Sequence, residues 1–186
     1  MNFLKQIYMK LNSVLLILFL AISTGSCSKE NDCDEPIDCL PAITQTGANT
    51  AGCLINGRVF IPDGQGINTG PVFQAQYNFS GGDGSVFGLS IRNLNSGGRK
   101  MMLIEIRNKK LVEGEVYELK SEGSNSIGYY HNSFHEFITN DDHGGELIIS
   151  KIDPKKGIVS GTFWFDAVDN EGEIIKIRNG RFDVLY

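Results

Sequence analysis

Apolar and polar residues alternate along most of the chain after residue 45, in short runs separated by turn-forming residues. This period-two alternation is typical of half-buried β-strands, whose successive side chains point to opposite faces of a sheet. Glycine, aspartate and asparagine between the runs favour tight turns and hairpins. The pattern predicts eight or nine strands, with candidates at Cys53–Phe60, Val72–Phe79, Ser85–Arg92, Lys100–Arg107, Val116–Leu119, Ser133–Thr139, Gly145–Ile152, Ile158–Val168 and Glu173–Tyr186.

The pattern shows neither a 3.6-residue apolar stripe of helical length nor a long-period repeat. We therefore predict an all-β domain in which an antiparallel meander of about eight to nine strands buries one shared face. Such a meander closes into a lipocalin-like barrel or stacks as a two-sheet sandwich, and the sequence leaves both alternatives open.

The last predicted strand changes its apolar face partway along. Its apolar positions are odd-numbered at Ile175 and Ile177 and even-numbered from Phe182 onward. One extra residue produces such a switch, and Asn179-Gly180 suits a β-bulge because glycine accepts positive φ. A tight Asn-Gly hairpin turn is the alternative. We favour the bulge, which predicts one long strand paired with the strand before it.

The N-terminus has the pattern of a bacterial lipoprotein signal peptide. Lys5 and Lys10 precede a short apolar run, and small residues then lead into Cys27. The run is too short for a membrane span, which needs about 20 apolar residues. We predict a signal peptide over residues 1–26, cleaved before a lipidated Cys27. Plain secretion and an uncleaved anchor are the alternatives, because Thr24 stands where an aliphatic residue is usual.

The residues after the signal peptide divide into a linker and one domain. Residues 27–44 are polar, acidic and interrupted by proline, so we predict a lipid-anchored flexible tether, followed by a single β domain over residues 45–186. Cleavage removes two lysines and no acid, which lowers the net charge from −5 to about −7. Such a surface disfavours nucleic acid, and membrane contact is expected through the N-terminal lipid.

Three cysteines remain once Cys27 carries lipid. In an oxidising compartment one disulfide is expected, either Cys33 with Cys39 or Cys39 with Cys53. The alternative for Cys53 is that it is a small buried hydrophobic residue at the start of a strand.

Two motifs near the ends of the predicted domain are familiar. The first is TGANTAGCLING at 46–57 with VFIP at 59–62, and the second is SGTFWF at 160–165 with NGRFDV at 179–184. Together they resemble an uncharacterised family of lipoprotein domains of the Bacteroidota, which has no established activity and implies no catalytic residue. The acidic stretch from Ser28 to Glu35 also resembles the export signal of that phylum, with a solvated linker as the alternative. The resemblance implies an outer-membrane anchor, with the domain facing the periplasm or the medium.

Three histidines lie close together in the sequence. His131, His135 and His143 are candidate zinc ligands. On one continuous strand His131 and His135 would lie about 13 Å apart, so exposed polar residues beside a hairpin are the favoured interpretation. The segment 169–173 offers oxygen ligands without the spacing of an EF-hand, and a hairpin turn is favoured there. We predict no cofactor.

Three aromatic residues are candidates for ligand binding. Trp164 alternates with two phenylalanines and should lie on the outer face if they face the core. Tyr129 and Tyr130 follow Gly128 in a stretch that resembles a loop. Exposed aromatic side chains bind sugars or partners, and ordinary packing is the alternative.

The chain lacks the sequence motifs of nucleophilic, paired-carboxylate or phosphate-binding sites. The favoured function is a cell-envelope lipoprotein whose non-catalytic β domain binds an unknown small ligand or an envelope protein. A hydrolytic enzyme whose site is assembled only by folding, and a structural envelope component, are the alternatives.

Overall fold

The computed structural model describes residues 33–64, 70–78, 86–95 and 98–186. Its strands are β1 Thr50–Ile55, β2 Arg58–Phe60, β3 Phe73–Asn78, β4 Val86–Asn93, β5 Lys100–Arg107, β6 Val116–Leu119, β7 Ser126–His131, β8 Glu136–Ile138, β9 Gly145–Asp153, β10 Ile158–Val168 and β11 Ile174–Leu185. Two short 3-10 helices cover Pro36–Cys39 and Glu122–Ser124. The all-β prediction is therefore confirmed. The predicted signal peptide and Cys27 lie outside the described residues, within which no helix is long and apolar enough to span a membrane.

All eleven strands form one antiparallel sheet. Its main path is β2-β1-β11-β10-β8-β7-β5-β4-β3, and β9 and β6 continue from β10 as a side branch. Among the described strands the path begins at β2 and ends at β3 without pairing them, so this sheet is not closed and the lipocalin-like barrel alternative is wrong. Strand β10 pairs with β11 along its whole length but reaches β8 only through Val168 opposite Ile138.

This narrow junction separates a first half (β1, β2, β6, β9, β10, β11) from a second half (β3, β4, β5, β7, β8). Aromatic rings connect the two halves: Phe60 lies 6.1 Å from Tyr130, and Phe87 lies 6.2 Å from Phe182, between ring centroids. One buried apolar cluster with members from both halves fills the space between them. The arrangement is compatible with the predicted two-sheet sandwich.

The bulge predicted in the last strand is confirmed. In the β10–β11 ladder Gly180 lies opposite Phe163 and Ile177 lies opposite Phe165, so residues 178 and 179 together oppose the single residue 164. Asn179 takes the left-handed conformation, with φ of 54°. Gly180 has another role, since a Cβ there would come within 2.6 Å of the Phe163 ring.

The first predicted strand is two strands, β1 and β2. Asn56 and Gly57 both have positive φ, 48° and 78°, which is the signature of a type I′ hairpin turn. Strand β7 was not predicted, and the loop predicted at Tyr129 and Tyr130 is wrong. Gly128 of this strand allows close packing, because a Cβ there would lie 3.0 Å from the Phe165 ring.

The N-terminal part of the described chain belongs to the domain. The compact unit begins at Cys33, whereas the tether was predicted to extend to residue 44. Leu40 is buried, and the carbonyl of Pro41 accepts a hydrogen bond from Arg181 at 3.2 Å. These contacts hold residues predicted to be a free linker against the sheet.

Asp183 of β11 ties the chain before β1 to the core. The carboxylate is 1% exposed and accepts six hydrogen bonds, from Thr44 Oγ1, Thr46 N, Thr46 Oγ1, Gly47 N, Ala48 N and Ser160 Oγ. Four of these six hydrogen bonds are shorter than 3.0 Å, including those from Thr44 Oγ1 at 2.6 Å and Ser160 Oγ at 2.7 Å. A buried charge is stable only with such compensation.

Candidate functional site

Trp164 lies on the outer face of β10. Phe163 and Phe165 are 2% and 0% exposed and face the core, whereas Trp164 is 40% exposed, as the alternation predicts. The two tyrosine candidates differ from it. Tyr130 is buried against Phe60, and burial and a hydrogen bond with Glu136 raise the pKa of Tyr129 to about 12. Trp164 is the most exposed of the three.

The indole of Trp164 is held by polar neighbours from both adjacent strands. Its Nε1 donates to a carboxylate oxygen of Glu146 on β9 at 3.2 Å. On β11 the guanidinium of Arg178 lies 5.3 Å from the ring centroid, a cation–π distance. Arg178 is itself fixed by an ion pair with Asp166 at 2.6 Å and by donation to the carbonyl of Ile177 at 2.8 Å. These contacts fix the position of the Trp164 ring in the protein without a ligand.

A shallow groove surrounds this ring, and we call it the Trp164 groove. Its volume is about 380 Å³. It is lined by Ile43, Glu146, Ile148, Thr162, Trp164, Arg178, Asn179 and Arg181. The β11 bulge brings Arg178 and Asn179 opposite Trp164, so the groove combines an aromatic ring and exposed Ile43 with guanidinium, amide and carboxylate groups. The alternation in the sequence predicted that Trp164 is on the outer face, but it could not predict the polar neighbours of Trp164, which come from other strands.

A second candidate site forms where two turns meet. In the β7–β8 connection, Asn132 Oδ1 accepts the backbone N–H of His135 at 2.9 Å and fixes that turn. In the β10–β11 hairpin, Asp169 Oδ1 accepts the N–H groups of Glu171 at 2.9 Å and Glu173 at 2.8 Å. The other oxygen of Asp169 lies 2.8 Å from His135 Nδ1. The hairpin predicted at 169–173 is therefore confirmed.

The Asp169 carboxylate is buried but ionised. Burial by itself would raise its pKa, yet hydrogen bonds from the Glu173 N–H, from His135 and from the Glu171 N–H together lower the pKa below its usual value. The carboxylate of Glu173 approaches the pair, so that ligating atoms of His135, Asp169 and Glu173 all lie within 4.8 Å of one another.

An open cleft of about 570 Å³ lies beside this cluster, and we call it the His135 cleft. His135, Asp169, Ser121 and Thr139 contribute to its lining, and Phe134 stands 87% exposed at its edge. Solvent therefore has access to the His135 side chain, whereas the Asp169 carboxylate behind it is buried.

The three histidines do not form one metal site, contrary to the candidate set of the sequence. His131 ends β7 with Nδ1 3.9 Å from Glu136, and His143 lies in a turn where Asn140 Oδ1 accepts its backbone N–H at 2.7 Å. Among the described residues, the cluster of ligating side chains contains His135 alone of the three. Its carboxylate partner, Asp169, comes from 34 residues further along the chain, so spacing in the sequence gave no signal of it.

The cysteines divide as one disulfide and one buried thiol. Of the two pairings left open by the sequence, the structure contains Cys33–Cys39, with Cα atoms 5.6 Å apart. Cys53 is fully buried beside Met102, with their sulfur atoms 3.9 Å apart. Burial raises the pKa of the Cys53 thiol far above its usual value, which keeps it protonated and unreactive.

The space between the two halves is occupied by side chains, so the candidate sites are on the surface. Fully buried residues such as Phe87, Ile104, Leu147 and Phe165 meet there. The described part of the chain does not enclose an apolar interior cavity of the kind that a ligand-binding barrel contains.

Comparison with known proteins finds one family. Residues 88–184 match the family described as Domain of unknown function (DUF6252). Comparisons with curated proteins and with solved structures find no match. The matched segment runs from β4 to β11 and contains Trp164, His135, Asp169 and Glu173.

Proposed function

The chain belongs to the family described as Domain of unknown function (DUF6252), and we propose that it is an exported, lipid-anchored protein whose β domain binds a saccharide without altering it chemically. The proposed binding surface is the Trp164 groove. The observation that carries this proposal is an exposed tryptophan held in place by Glu146 and Arg178.

The proposed location is the envelope of a bacterium of the Bacteroidota, with Cys27 anchored in the outer membrane by lipid. The order of lysines, apolar run, small residues and cysteine at the N-terminus supports it. The Cys33–Cys39 disulfide also supports export, because disulfides persist in oxidising compartments. The first described residues then follow the anchor after a short spacer.

The composition of the Trp164 groove supports a saccharide ligand. A sugar ring has apolar C–H faces and a polar edge of hydroxyl groups, so it needs one flat apolar surface and several planar hydrogen-bonding groups. Trp164 and Ile43 supply the apolar surface, and Glu146, Arg178 and Asn179 supply donors and acceptors. Charges of both signs line the groove, which favours a neutral saccharide over a strongly charged one.

We predict that Trp164→Ala abolishes most of the binding. The ring provides the largest apolar contact in the groove, and loss of such a central aromatic anchor weakens binding by roughly 30-fold or more. A glycan array identifies the ligand for the full chain, and titration calorimetry with that ligand then measures the dissociation constants.

Phe134→Ala is the matched control. It removes a more exposed aromatic ring, but one at the His135 cleft. This variant should bind the ligand as the unaltered protein does. Equal affinity of Trp164→Ala and the unaltered protein, or a larger loss in Phe134→Ala, would contradict the proposed surface.

Hydrolysis at the His135 cleft is a second candidate function. The observation in its favour is the 2.8 Å contact between His135 Nδ1 and Asp169, which orients the imidazole toward an accessible cleft, as a general base requires. It ranks second because the same carboxylate also organises the β10–β11 hairpin through two backbone N–H groups. Hydrolysis of model esters or peptides that is lost in His135→Gln would favour this function.

A further inference from the structure

We propose that His135, Asp169 and Glu173 form a Zn²⁺ site at the edge of the His135 cleft. One imidazole and two carboxylates supply three donors of the nitrogen and oxygen types that zinc binds, and a water molecule takes the fourth position in three-ligand zinc sites. The proposal is independent of saccharide binding, because it concerns a different surface of the domain.

The three side chains are brought together by two turns that are fixed by their own hydrogen bonds. Asn132 fixes the backbone at His135, and the Asp169 Oδ1 contacts fix the hairpin that carries Glu173. Asp169 Oδ2 remains for His135 or for an ion. Most of the ordering that a metal site requires is thus present in the fold.

The distances suit a small ion. Zn–N and Zn–O bonds of about 2.1 Å place two tetrahedral ligand atoms about 3.4 Å apart. His135 Nδ1 and Asp169 Oδ2 are 2.8 Å apart, joined by a proton that the ion would displace, and the third ligand atom lies within 4.8 Å. Small side-chain rotations would bring these separations to about 3.4 Å, and the exposed Glu173 side chain is free to rotate.

Charge and ligand type select the metal. Two carboxylates around a neutral imidazole balance one divalent cation. Imidazole nitrogen favours zinc over calcium and magnesium, which prefer oxygen ligands only. The cleft beside the cluster gives an ion a path from solvent and leaves room for a bound water molecule.

The experiment is Zn²⁺ titration of the full chain, purified without a histidine tag and treated with EDTA. Titration calorimetry with zinc chloride should show one ion per chain, with weaker binding of Mg²⁺ and Ca²⁺. The visible spectrum of Co²⁺ bound in place of Zn²⁺ should show low-symmetry, four-coordinate absorption. His135→Gln and Glu173→Gln should each weaken Zn²⁺ binding by about 10-fold or more, as losses around metal sites typically do.

Two matched controls separate the site from general metal binding. His143→Gln removes another histidine, and Glu171→Gln removes the neighbouring carboxylate of the same hairpin, and both should bind Zn²⁺ normally. Since Glu173 is exposed, Glu173→Gln is expected to fold even if His135→Gln does not, and circular dichroism checks this. Absence of Zn²⁺ binding by the unaltered chain, or equal affinity of Glu173→Gln and the Glu171→Gln control, would overturn the proposal.

Discussion

Asp183→Asn is expected to lower the free energy of unfolding by about 2–4 kcal/mol, because each buried donor left without an acceptor costs about 1–3 kcal/mol. The carboxylate accepts hydrogen bonds with both oxygens: Oδ2 takes those of Thr44, Thr46 and Ala48, and Oδ1 takes those of Gly47 and Ser160. Asparagine has one such oxygen, so its amide N–H₂ must face donors whichever way it is turned. The donors left without a partner are buried with it.

Urea unfolding followed by circular dichroism measures this effect. Asp142→Asn is the matched control, because Asp142 is exposed in the turn before His143 and the same chemical change there should alter stability by less than about 0.5 kcal/mol. Equal midpoints for the two variants would show that the Asp183 network does not hold residues 44–48 to β11.

Stability should also fall in acid through Asp183. Burial alone would raise the pKa of this carboxyl, but hydrogen bonds from Thr44, Ser160 and the N–H groups of Thr46 and Ala48 hold the pKa well below its usual range. A carboxyl whose pKa is depressed by folding stabilises the protein above the unfolded pKa of about 4, and this contribution is lost as the pH falls toward the folded value. Asp183→Asn should therefore show a flatter loss of stability below pH 4 than the unaltered protein. An identical pH profile in both proteins would contradict this assignment.

The parts of the fold that the sequence predicted are those decided by local alternation. Strands β5, β6 and β10 have the predicted bounds, and buried positions alternate with less buried ones in β5, in β6 and from Gly161 onward in β10. The β11 bulge was visible for the same reason, since an extra residue shifts the apolar parity. Trp164 was placed outside by its two core-facing neighbours.

The features of the fold that the sequence did not predict depend on contacts between distant segments of the chain. The stretch after Gly128 resembled a loop, but Gly128 lies in β7, where the Phe165 ring occupies the space that a side chain would take. Among the described strands the sheet stays open because its end strands, β2 and β3, do not pair, and the alternation within single strands does not determine how the ends of a sheet meet. The sequence around Asp169 and Asp183 gave no sign of their hydrogen bonds, because their partners, His135 and Thr44, lie in distant segments that only the fold brings close.

Gly145→Ala is expected to lower the free energy of unfolding by about 3 kcal/mol, at the upper end of the overpacking range. Gly145 begins β9 between two strands, opposite Leu119 of β6 and Phe165 of β10. A Cβ at this position would lie far closer than 3.0 Å to the Trp164 carbonyl and to the Phe165 backbone. Backbone atoms in a paired strand cannot move aside as a flexible side chain would, so the β9–β10 pairing must shift.

Gly88→Ala provides the matched control for this close approach. Gly88 also lies within a strand, β4, but a Cβ there would meet no atom within 4 Å. Alanine restricts the unfolded chain more than glycine does, so this variant should be neutral or more stable by up to about 1 kcal/mol. Thermal and urea unfolding of both variants give the comparison. Since β9 supplies Glu146 and β10 supplies Trp164, Gly145→Ala should also disturb the Trp164 groove. If both variants unfolded at the same urea concentration, the close contact of β9 with β10, and with it the geometry of the groove, would be wrong.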